Sequence, residues 1–180
     1  MKIDLETGLL DIARQRPSPN CDDRPEGEVI ELIVIHSISL PPNHFGGAEI
    51  EDFFCNQLDI SAHPYFEEIK DMQVSAHLLV NRHGEIIQFV SFNQRAWHAG
   101  VSCYKDRQCC NDFSIGIELE GSDDTTFTDQ QYRMLKQILS ILSKSYTRLS
   151  GATIVGHNEI SPGRKTDPGP FFDWRRIRNT

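Results

Sequence analysis

Two histidines and one aspartate in this sequence have residue types and positions typical of a metal site. His36 stands near the end of the apolar run VIELIVIHSIS, and His157 ends the shorter run GATIVGH. Neutral imidazoles are common metal ligands, and the ends of strands hold them rigidly. Asp167 follows His157 by ten residues, so a loop can fold its carboxylate back beside the imidazole. Two histidines and one carboxylate leave a fourth zinc position open for water.

Each of these residues also has an ordinary structural interpretation. A lone buried histidine is more often a packed core side chain than a ligand, and Asp167 precedes Pro168, as turn-forming aspartates do. Two histidines that both precede polar loops favour the metal site. Imidazole ligands indicate Zn²⁺ rather than Mg²⁺.

Glu118 and Lys165 are the candidates for proton transfer and charge stabilisation. Glu118 lies in the middle of SIGIELE, opposite in phase to the apolar Ile115, Ile117 and Leu119. If that face is covered, burial raises the pKa of the carboxyl and suits Glu118 to general-base work. The alternative is an exposed sheet face with a solvated Glu118. Lys165 either stabilises the oxyanion of a tetrahedral intermediate or is a solvated loop cation.

A third candidate region is the segment AWHAG, which carries Trp97 and His98. The indole of Trp97 can stack on a sugar ring, and His98 can donate a hydrogen bond to it. The alternative interpretation is that Trp97 anchors a loop to the core. His77 alternates with Leu79 along a strand, and we expect it to be a core histidine rather than a ligand.

Four strands are predicted to position these residues. The continuous β-branched run at 29–39 is typical of a central strand buried on both faces. FSIGIELEG (113–121) alternates and predicts a second strand, and GATIVGH (151–157) predicts a short one. VSAHLLVNRHGEIIQFV reads as two strands joined by a turn around 81–84.

Helices are predicted between and around these strands. Residues 1–14 are predicted as a short helix that RPSPN ends, and residues 50–58 as an amphipathic helix. Thr128 and Gln131 form a capping box for a helix that continues to Tyr146, and DWRRIR predicts a last short helix. Residues 95–112 are predicted as a long polar loop. We expect a single α/β domain over residues 1–180, with a mixed central β-sheet flanked by helices.

Composition excludes several classes of function. The net charge of −8 argues against a nucleic-acid surface, which needs a basic face. No apolar run approaches the roughly 18 residues of a membrane span, and the N-terminus lacks the pattern of a signal peptide. The five cysteines contain no C-x-x-C pair, so they predict reduced thiols in a cytoplasmic protein. A monomer is the default expectation.

The ordered motifs resemble those of one family. The matching segments are VIHSISLPP, SAHLLVNRHGEIIQFV, RAWHAGVS, CNDFSIGIELEG, ISPGRKTDPGP and FDW. Together they closely resemble the cytosolic N-acetylmuramyl-L-alanine amidases of the AmpD type, within the broader zinc amidase and peptidoglycan-recognition family. The resemblance covers about 17–174 and keeps the order of the motifs.

The resemblance implies a zinc hydrolase of cell-wall fragments. Such an enzyme cleaves the amide between the lactyl group of anhydro-N-acetylmuramic acid and L-alanine, in the cytoplasmic recycling of peptidoglycan. This recycling also lowers the pool of muropeptides that induce β-lactamase. The resemblance further implies His36, His157 and Asp167 as zinc ligands, Glu118 as the general base and Lys165 as the oxyanion-stabilising cation.

Some positions depart from the pattern of the family. Ser37 stands where an asparagine is expected, and Gln73 and Cys109 stand where arginines that hold peptide carboxylates are expected. Arg107, two residues from Cys109, is the candidate substitute. These departures concern the peptide preference rather than the reaction.

Three alternatives remain open at this stage. A muropeptide-binding protein without activity would be expected to lack a ligand or the base, and an amidase of intact wall would need an export signal. A purely structural zinc site would have four protein ligands, whereas three are predicted here.

Overall fold

A computed structural model of the chain describes residues 1–149 and 153–178. The strands, in chain order, are β1 (Ile3–Asp4), β2 (Leu9–Leu10), β3 (Arg14–Gln15), β4 (Cys21–Asp23), β5 (Leu32–Ile38), β6 (Leu78–Val80), β7 (Ile86–Gln88), β8 (Gln94–Ala96), β9 (Cys103–Tyr104), β10 (Arg107–Gln108), β11 (Ser114–Glu120) and β12 (Ile154–Gly156). The helices are α1 (Glu49–Phe54), α2 (Pro64–Ile69), α3 (Asp129–Ser145), α4 (His157–Ile160) and α5 (Arg175–Arg178), with 3₁₀ turns at Ile60–Ala62 and Cys110–Phe113. No helix of the described residues is long and apolar enough to span a bilayer.

A six-stranded mixed sheet organises the fold, with strand order β12-β5-β11-β6-β7-β3. The strands β12, β5, β11 and β6 run parallel, and β7 returns antiparallel to β6. The four parallel strands therefore end at one edge of the sheet. This arrangement confirms the predicted α/β fold with a mixed central sheet and its flanking helices.

Helix α3 covers one face of the sheet. The alternating residues Ile115, Ile117 and Leu119 of β11 pack with Ile33 and Ile35 against its apolar side. The predicted capping box at its start is present, because the Thr128 hydroxyl accepts from the Gln131 N–H and the Gln131 side chain accepts from the Thr128 N–H. The face that α3 leaves open is the one that carries His36 and Glu118.

The opposite face is covered only at its two sides. Helices α1 and α2 pack Phe53, Phe54 and Phe66 near the β6–β7 hairpin. At the other side, Phe113 and Ile160 pack on β5 and β12. A space remains between these two groups, over the carboxyl-terminal halves of β5 and β11.

The predicted helix over residues 1–14 is wrong. The segment forms β1 and β2, an antiparallel pair, and then β3, which joins the sheet edge beside β7. The backbone N–H of Leu10 donates to the Gln88 side chain at 2.8 Å, and that of Arg16 donates to the Gln88 carbonyl at 2.9 Å. These bonds join residues far apart in the sequence, so local spacing alone did not reveal them.

The other predicted elements are present with shifted bounds. The hairpin of β6 and β7 turns at 81–84 as predicted. The first two positions of the predicted strand at 151–157 lie outside the described residues, and Ile154–Gly156 form β12. Part of the predicted loop at 95–112 is regular, because it contains the end of β8, the β9–β10 hairpin and most of the turn Cys110–Phe113.

Candidate active site

The sheet brings the predicted ligands together at the carboxyl edge of its parallel strands. In the pairing of β12 with β5, Gly156 lies opposite Ile35, so His157 follows immediately beside His36. Asp167 returns to them through the loop after α4, where its carbonyl accepts a hydrogen bond from the Asn158 N–H at 3.0 Å. His36 and His157 are buried, and the ends of the two strands meet in one cluster.

The three side chains fit a metal ion. The two Nδ1 atoms of His36 and His157 lie 3.0 Å apart, and each lies 3.0–3.1 Å from Oδ2 of Asp167. Three ligands of a tetrahedral zinc at ordinary bond lengths are about 3.3 Å apart. Among the described residues, these three form the group of potential metal ligands whose ligand atoms all lie within 4.8 Å of one another.

Burial sets the charge states of this cluster. It lowers the pKa of His36 to about 4, although the hydrogen bond to Asp167 opposes the shift. Burial alone would raise the pKa of Asp167, but its hydrogen bonds with His157 and His36 bring that pKa below its usual value. The imidazole of His36 is thus neutral and the carboxylate charged at neutral pH, which are the forms that bind a metal.

Glu118 is buried beside this cluster, which contradicts the alternative of an exposed sheet face. It is 9 % exposed and lies opposite His36 in the register of β11 and β5. Its Oε2 atom is buried and has no hydrogen-bond partner in the described part of the chain. Burial and the charge of Asp167 raise the pKa of Glu118 well above its usual value, while Lys165 opposes the shift.

A cavity of about 470 Å³ opens in front of these residues. Glu118, Lys165 and the three ligand candidates all line it. The Lys165 ammonium makes no ion pair with the carboxylates of the described residues, so its charge is available to a ligand. The other wall is largely apolar and is formed by Leu40, Pro42, Phe53, Phe54, Tyr65, Ile69, Met72 and Val74.

His98 lies behind His36 rather than in front of a ligand. Its Nδ1 is 2.9 Å from Nε2 of His36, and its Nε2 is 3.1 Å from the Ser114 hydroxyl. Its ring is 8 % exposed at the cavity wall. Both ring nitrogens therefore have protein partners, and the geometry gives no support to a hydrogen bond from His98 to a sugar.

Trp97 and Arg107 lie away from the cavity lining. The Trp97 indole donates to Asp22 at 3.1 Å, which is the arrangement expected of an anchored loop. The Arg107 guanidinium pairs with Glu28 and Glu31 and stacks on a phenylalanine ring. Their substrate-binding roles remain predictions that the geometry does not support.

The prediction of His77 as a core histidine is confirmed. It is fully buried, its Nδ1 accepts from the Gly116 N–H at 3.0 Å, and its Nε2 is 3.1 Å from the Gln94 carbonyl. Burial lowers the pKa of His77 to about 3.

Sequence reasoning missed the residues that support the two histidines from behind. The Ala99 carbonyl lies 3.0 Å from Nε2 of His157 and also accepts from Arg164 at 2.6 Å. The Asn111 side chain accepts from the N–H groups of His98 and Ala99 at 3.2 and 2.8 Å. The sequence shows only that AWHAG lies close to polar residues. That proximity does not predict the contacts of Ala99 with His157 or of Asn111 with His98 and Ala99.

Comparison with known proteins agrees with this arrangement. The profile of the N-acetylmuramoyl-L-alanine amidase family matches residues 26–170. The 1,6-anhydro-N-acetylmuramyl-L-alanine amidase AmpD of Haemophilus influenzae is 55 % identical over 173 residues, which cover 96 % of this chain and 94 % of that protein.

Solved structures extend the similarity to the whole fold. The crystal structure of a selenomethionine derivative of AmpD matches with a TM-score of 0.95 and 51 % identity, covering 99 % of this chain and 98 % of that one. A more distant match is Escherichia coli AmiD in complex with the substrate anhydro-N-acetylmuramic acid-L-Ala-D-γ-Glu-L-Lys, with a TM-score of 0.62 and 27 % identity, covering 87 % of this chain and 60 % of that one. The resemblance seen in the motifs is thereby confirmed, and the chain belongs to the N-acetylmuramoyl-L-alanine amidase family.

Proposed function

We propose that this protein hydrolyses the amide between the lactyl group of anhydro-N-acetylmuramic acid and the L-alanine of the stem peptide, with Zn²⁺ as its cofactor. The observation that carries the proposal is the buried, unpartnered carboxylate oxygen of Glu118 beside the cluster of His36, His157 and Asp167. An unpaired buried carboxylate is costly, so it calls for a functional reason.

His36, His157 and Asp167 would hold the metal through two imidazole nitrogens and one carboxylate oxygen. When bound there, zinc supplies a Lewis acid that polarises a carbonyl group and lowers the pKa of water. Zinc is favoured over Mg²⁺ because two of the three ligands are imidazoles.

Glu118 acts as the proton carrier of the reaction. Its carboxylate takes a proton from the attacking water, and its raised pKa makes it a stronger base than an exposed glutamate. The same proton then passes to the nitrogen of L-alanine as the amide bond breaks.

Lys165 stabilises the negative charge that develops on the carbonyl oxygen. Lys165 lines the cavity with Glu118, and its ammonium group makes no ion pair with a carboxylate of the described residues. A fixed positive charge in a partly water-excluded site stabilises a transition state more than it does in bulk water. The period-two spacing of Lys165 and Asp167 agrees with both lining the same cavity.

The shape of the cavity suits an anhydro-muropeptide as a small-molecule substrate. One wall carries the reactive groups, and the apolar wall offers a surface for the sugar ring and the alanine side chain. The ligand of the AmiD structure has this chemistry. Reaction on such soluble fragments supports a role in cytoplasmic peptidoglycan recycling, with no nucleic-acid or membrane partner.

The organisation of the chain is also part of the proposal. The six strands of the central sheet come from segments spread between residues 14 and 156, which supports a single amidase domain over residues 1–180. We propose that the domain acts as a monomer.

The decisive experiment compares two substrates with the purified, zinc-loaded protein. Soluble anhydro-muropeptide should release the L-alanyl peptide, and intact sacculi should release much less. A chelator should stop the release, and added zinc should restore it. Preferential cleavage of sacculi would instead assign the protein to intact wall, and tight binding without release would identify a muropeptide-binding protein.

A further inference from the structure

We propose that His98 is a positioning residue that holds His36 in the tautomer whose Nδ1 lone pair faces the metal. The inference rests on the metal site of the proposed function. It replaces a substrate-binding role for His98 by one in which the residue acts only through His36. A chain of hydrogen bonds that begins at a backbone carbonyl leads through His98 to His36.

The direction of the first bond is unambiguous. The Cys110 carbonyl can only accept, and the Ser114 hydroxyl lies 2.5 Å from it, so this hydroxyl donates its proton there. Its oxygen is then left to accept from a second donor. The atom within reach is Nε2 of His98, at 3.1 Å. His98 therefore carries a proton on Nε2.

The protonation of His98 determines which nitrogen of His36 carries a proton. The ring is buried, and its two nitrogens face His36 and the Ser114 hydroxyl rather than a carboxylate, so the ring is neutral and its Nδ1 is an acceptor. Nδ1 of His98 lies 2.9 Å from Nε2 of His36, which must therefore be protonated. A neutral His36 with a proton on Nε2 has its lone pair on Nδ1, as a metal ligand requires. In the metal-free protein Nδ1 can instead donate to Oδ2 of Asp167, 3.0 Å away, so His98 favours the zinc-binding tautomer against this competing hydrogen bond.

The position of the His98 ring is built into the sheet. A Cβ added at Gly116 would lie 2.4 Å from Cγ of His98, so the ring occupies the space that a side chain would fill. The Asn111 side chain holds the backbone of the same segment through the N–H groups of His98 and Ala99. Because the His98 ring is fixed in this position, it can favour one tautomer of His36.

The same dipeptide orients the second imidazole. Nε2 of His157 lies 3.0 Å from the Ala99 carbonyl, which requires a proton on Nε2 and leaves Nδ1 as the lone-pair atom. Arg164 is 3.3 Å from that nitrogen, but it has closer acceptors in Ala99, Val101 and Ser161. Residues 98–99 thus set both tautomers, His98 through its side chain and Ala99 through its backbone.

Removing such a partner of a metal-bound histidine typically weakens metal binding 10–100-fold. We therefore expect His98→Leu to lower the zinc affinity by about that factor, because His36 is then able to adopt either tautomer. His98→Gln should restore most of the affinity, since the amide oxygen can accept from Nε2 of His36. His77→Gln is the matched control, because it removes a buried histidine of the same core without touching His36.

The test combines zinc affinity, measured by chelator competition, with ¹H–¹⁵N spectra of the imidazole nitrogens in the zinc-loaded protein. The expected result is a His36 protonated on Nε2 in the wild type, His98→Gln and His77→Gln, and a mixture of tautomers with weaker zinc binding in His98→Leu. A wild-type His36 protonated on Nδ1 would overturn the inference, and this spectrum decides even if His98→Leu does not fold. Unchanged zinc affinity in a folded His98→Leu would overturn it too. Failure of the wild type to bind zinc would refute the proposed function instead. The metal-free spectra would then still test His98, because a His98 without a proton on Nε2 would overturn the inference.

Discussion

Glu118 lies directly opposite His36 on the neighbouring parallel strands β11 and β5. Paired residues of a sheet project their side chains on the same face, so this register places a carboxylate beside the first metal ligand. Both side chains are at least nine-tenths buried, on the face that α3 does not cover. The proposed base and the proposed ligand are therefore held by the backbone of the sheet and not by a mobile loop.

The register predicts that Glu118 can be replaced without loss of the metal. Glu118→Gln keeps the size of the side chain but removes its ability to take a proton. We expect kcat to fall by about 10²–10⁴-fold, the usual contribution of a general base, with zinc content unchanged. Peptide release and metal analysis on the same sample check this. A near-normal kcat would exclude Glu118 as the base.

Lys165 is predicted to act on the transition state rather than on substrate binding. Lys165→Ala should lower kcat by about 10²-fold or more, as the loss of one oxyanion donor does. Lys165→Arg keeps the charge and should retain more of the activity. Steady-state kinetics separate the two parameters. A rise confined to KM would show that Lys165 binds the ground state.

The metal cluster is predicted to depend on each of its imidazoles. His36→Ala should lose zinc, because the remaining His157 and Asp167 offer only two ligands. His44→Ala is the control, since His44 is an exposed histidine in the loop after β5. Metal content after dialysis against a weak chelator is the measurement. Full retention of zinc in His36→Ala would remove His36 from the ligand set.

Gly116 is predicted to tolerate no side chain while His98 is present. Its added Cβ would lie 2.4 Å from the His98 ring, so Gly116→Ala should destabilise the fold by about 1–3 kcal/mol, as overpacking does. Combining it with His98→Ala should cost less than the sum of the two single changes, because the second change removes the clash. Urea unfolding of the three variants tests this coupling. Strict additivity would contradict the contact.

Acid is predicted to destabilise the metal-free protein through its buried histidines. The pKa of His77 is lowered to about 3 and that of His36 to about 4, whereas in the unfolded chain both are near 6.5. Between these values the unfolded chain binds more protons, so the free energy of unfolding falls as the pH falls below about 6.5. Each residue contributes on the order of 2 kcal/mol of loss by about pH 5.

The contribution of His77 can be isolated. His77→Gln cannot take up a proton, so its free energy of unfolding should change less between about pH 7.5 and pH 5 than that of the wild type. Urea unfolding of both metal-free proteins at the two pH values gives the difference. An equal loss in both would show that His77 is accessible to protons in the folded state.

Patterns that depend on neighbouring residues were readable from the sequence. The β-branched run of β5, the alternation of β11 and the capping box of α3 each follow from local side-chain chemistry. The candidate reactive residues could also be identified from the sequence. Histidine, aspartate, glutamate and lysine near strand ends and in loops are suited to metal binding, proton transfer and charge stabilisation. What these patterns left open was whether Glu118 faced solvent and whether His36 met His157.

Those questions were decided by long-range pairing in three dimensions. The register of β11 on β5 buried Glu118, and the parallel placement of β12 brought His157 to His36. Long-range hydrogen bonds to Gln88 and the pairing of β3 with β7 hold the first segment of the chain in strands, against its local helical spacing. His98 shows this dependence on the tertiary structure most clearly. Its ring lies over Gly116 of β11 and behind His36 of β5, and neither residue is its neighbour in the sequence. Local sequence encodes the propensity of each segment, whereas the direction of a buried hydrogen bond depends on partners that only the packed fold brings within reach.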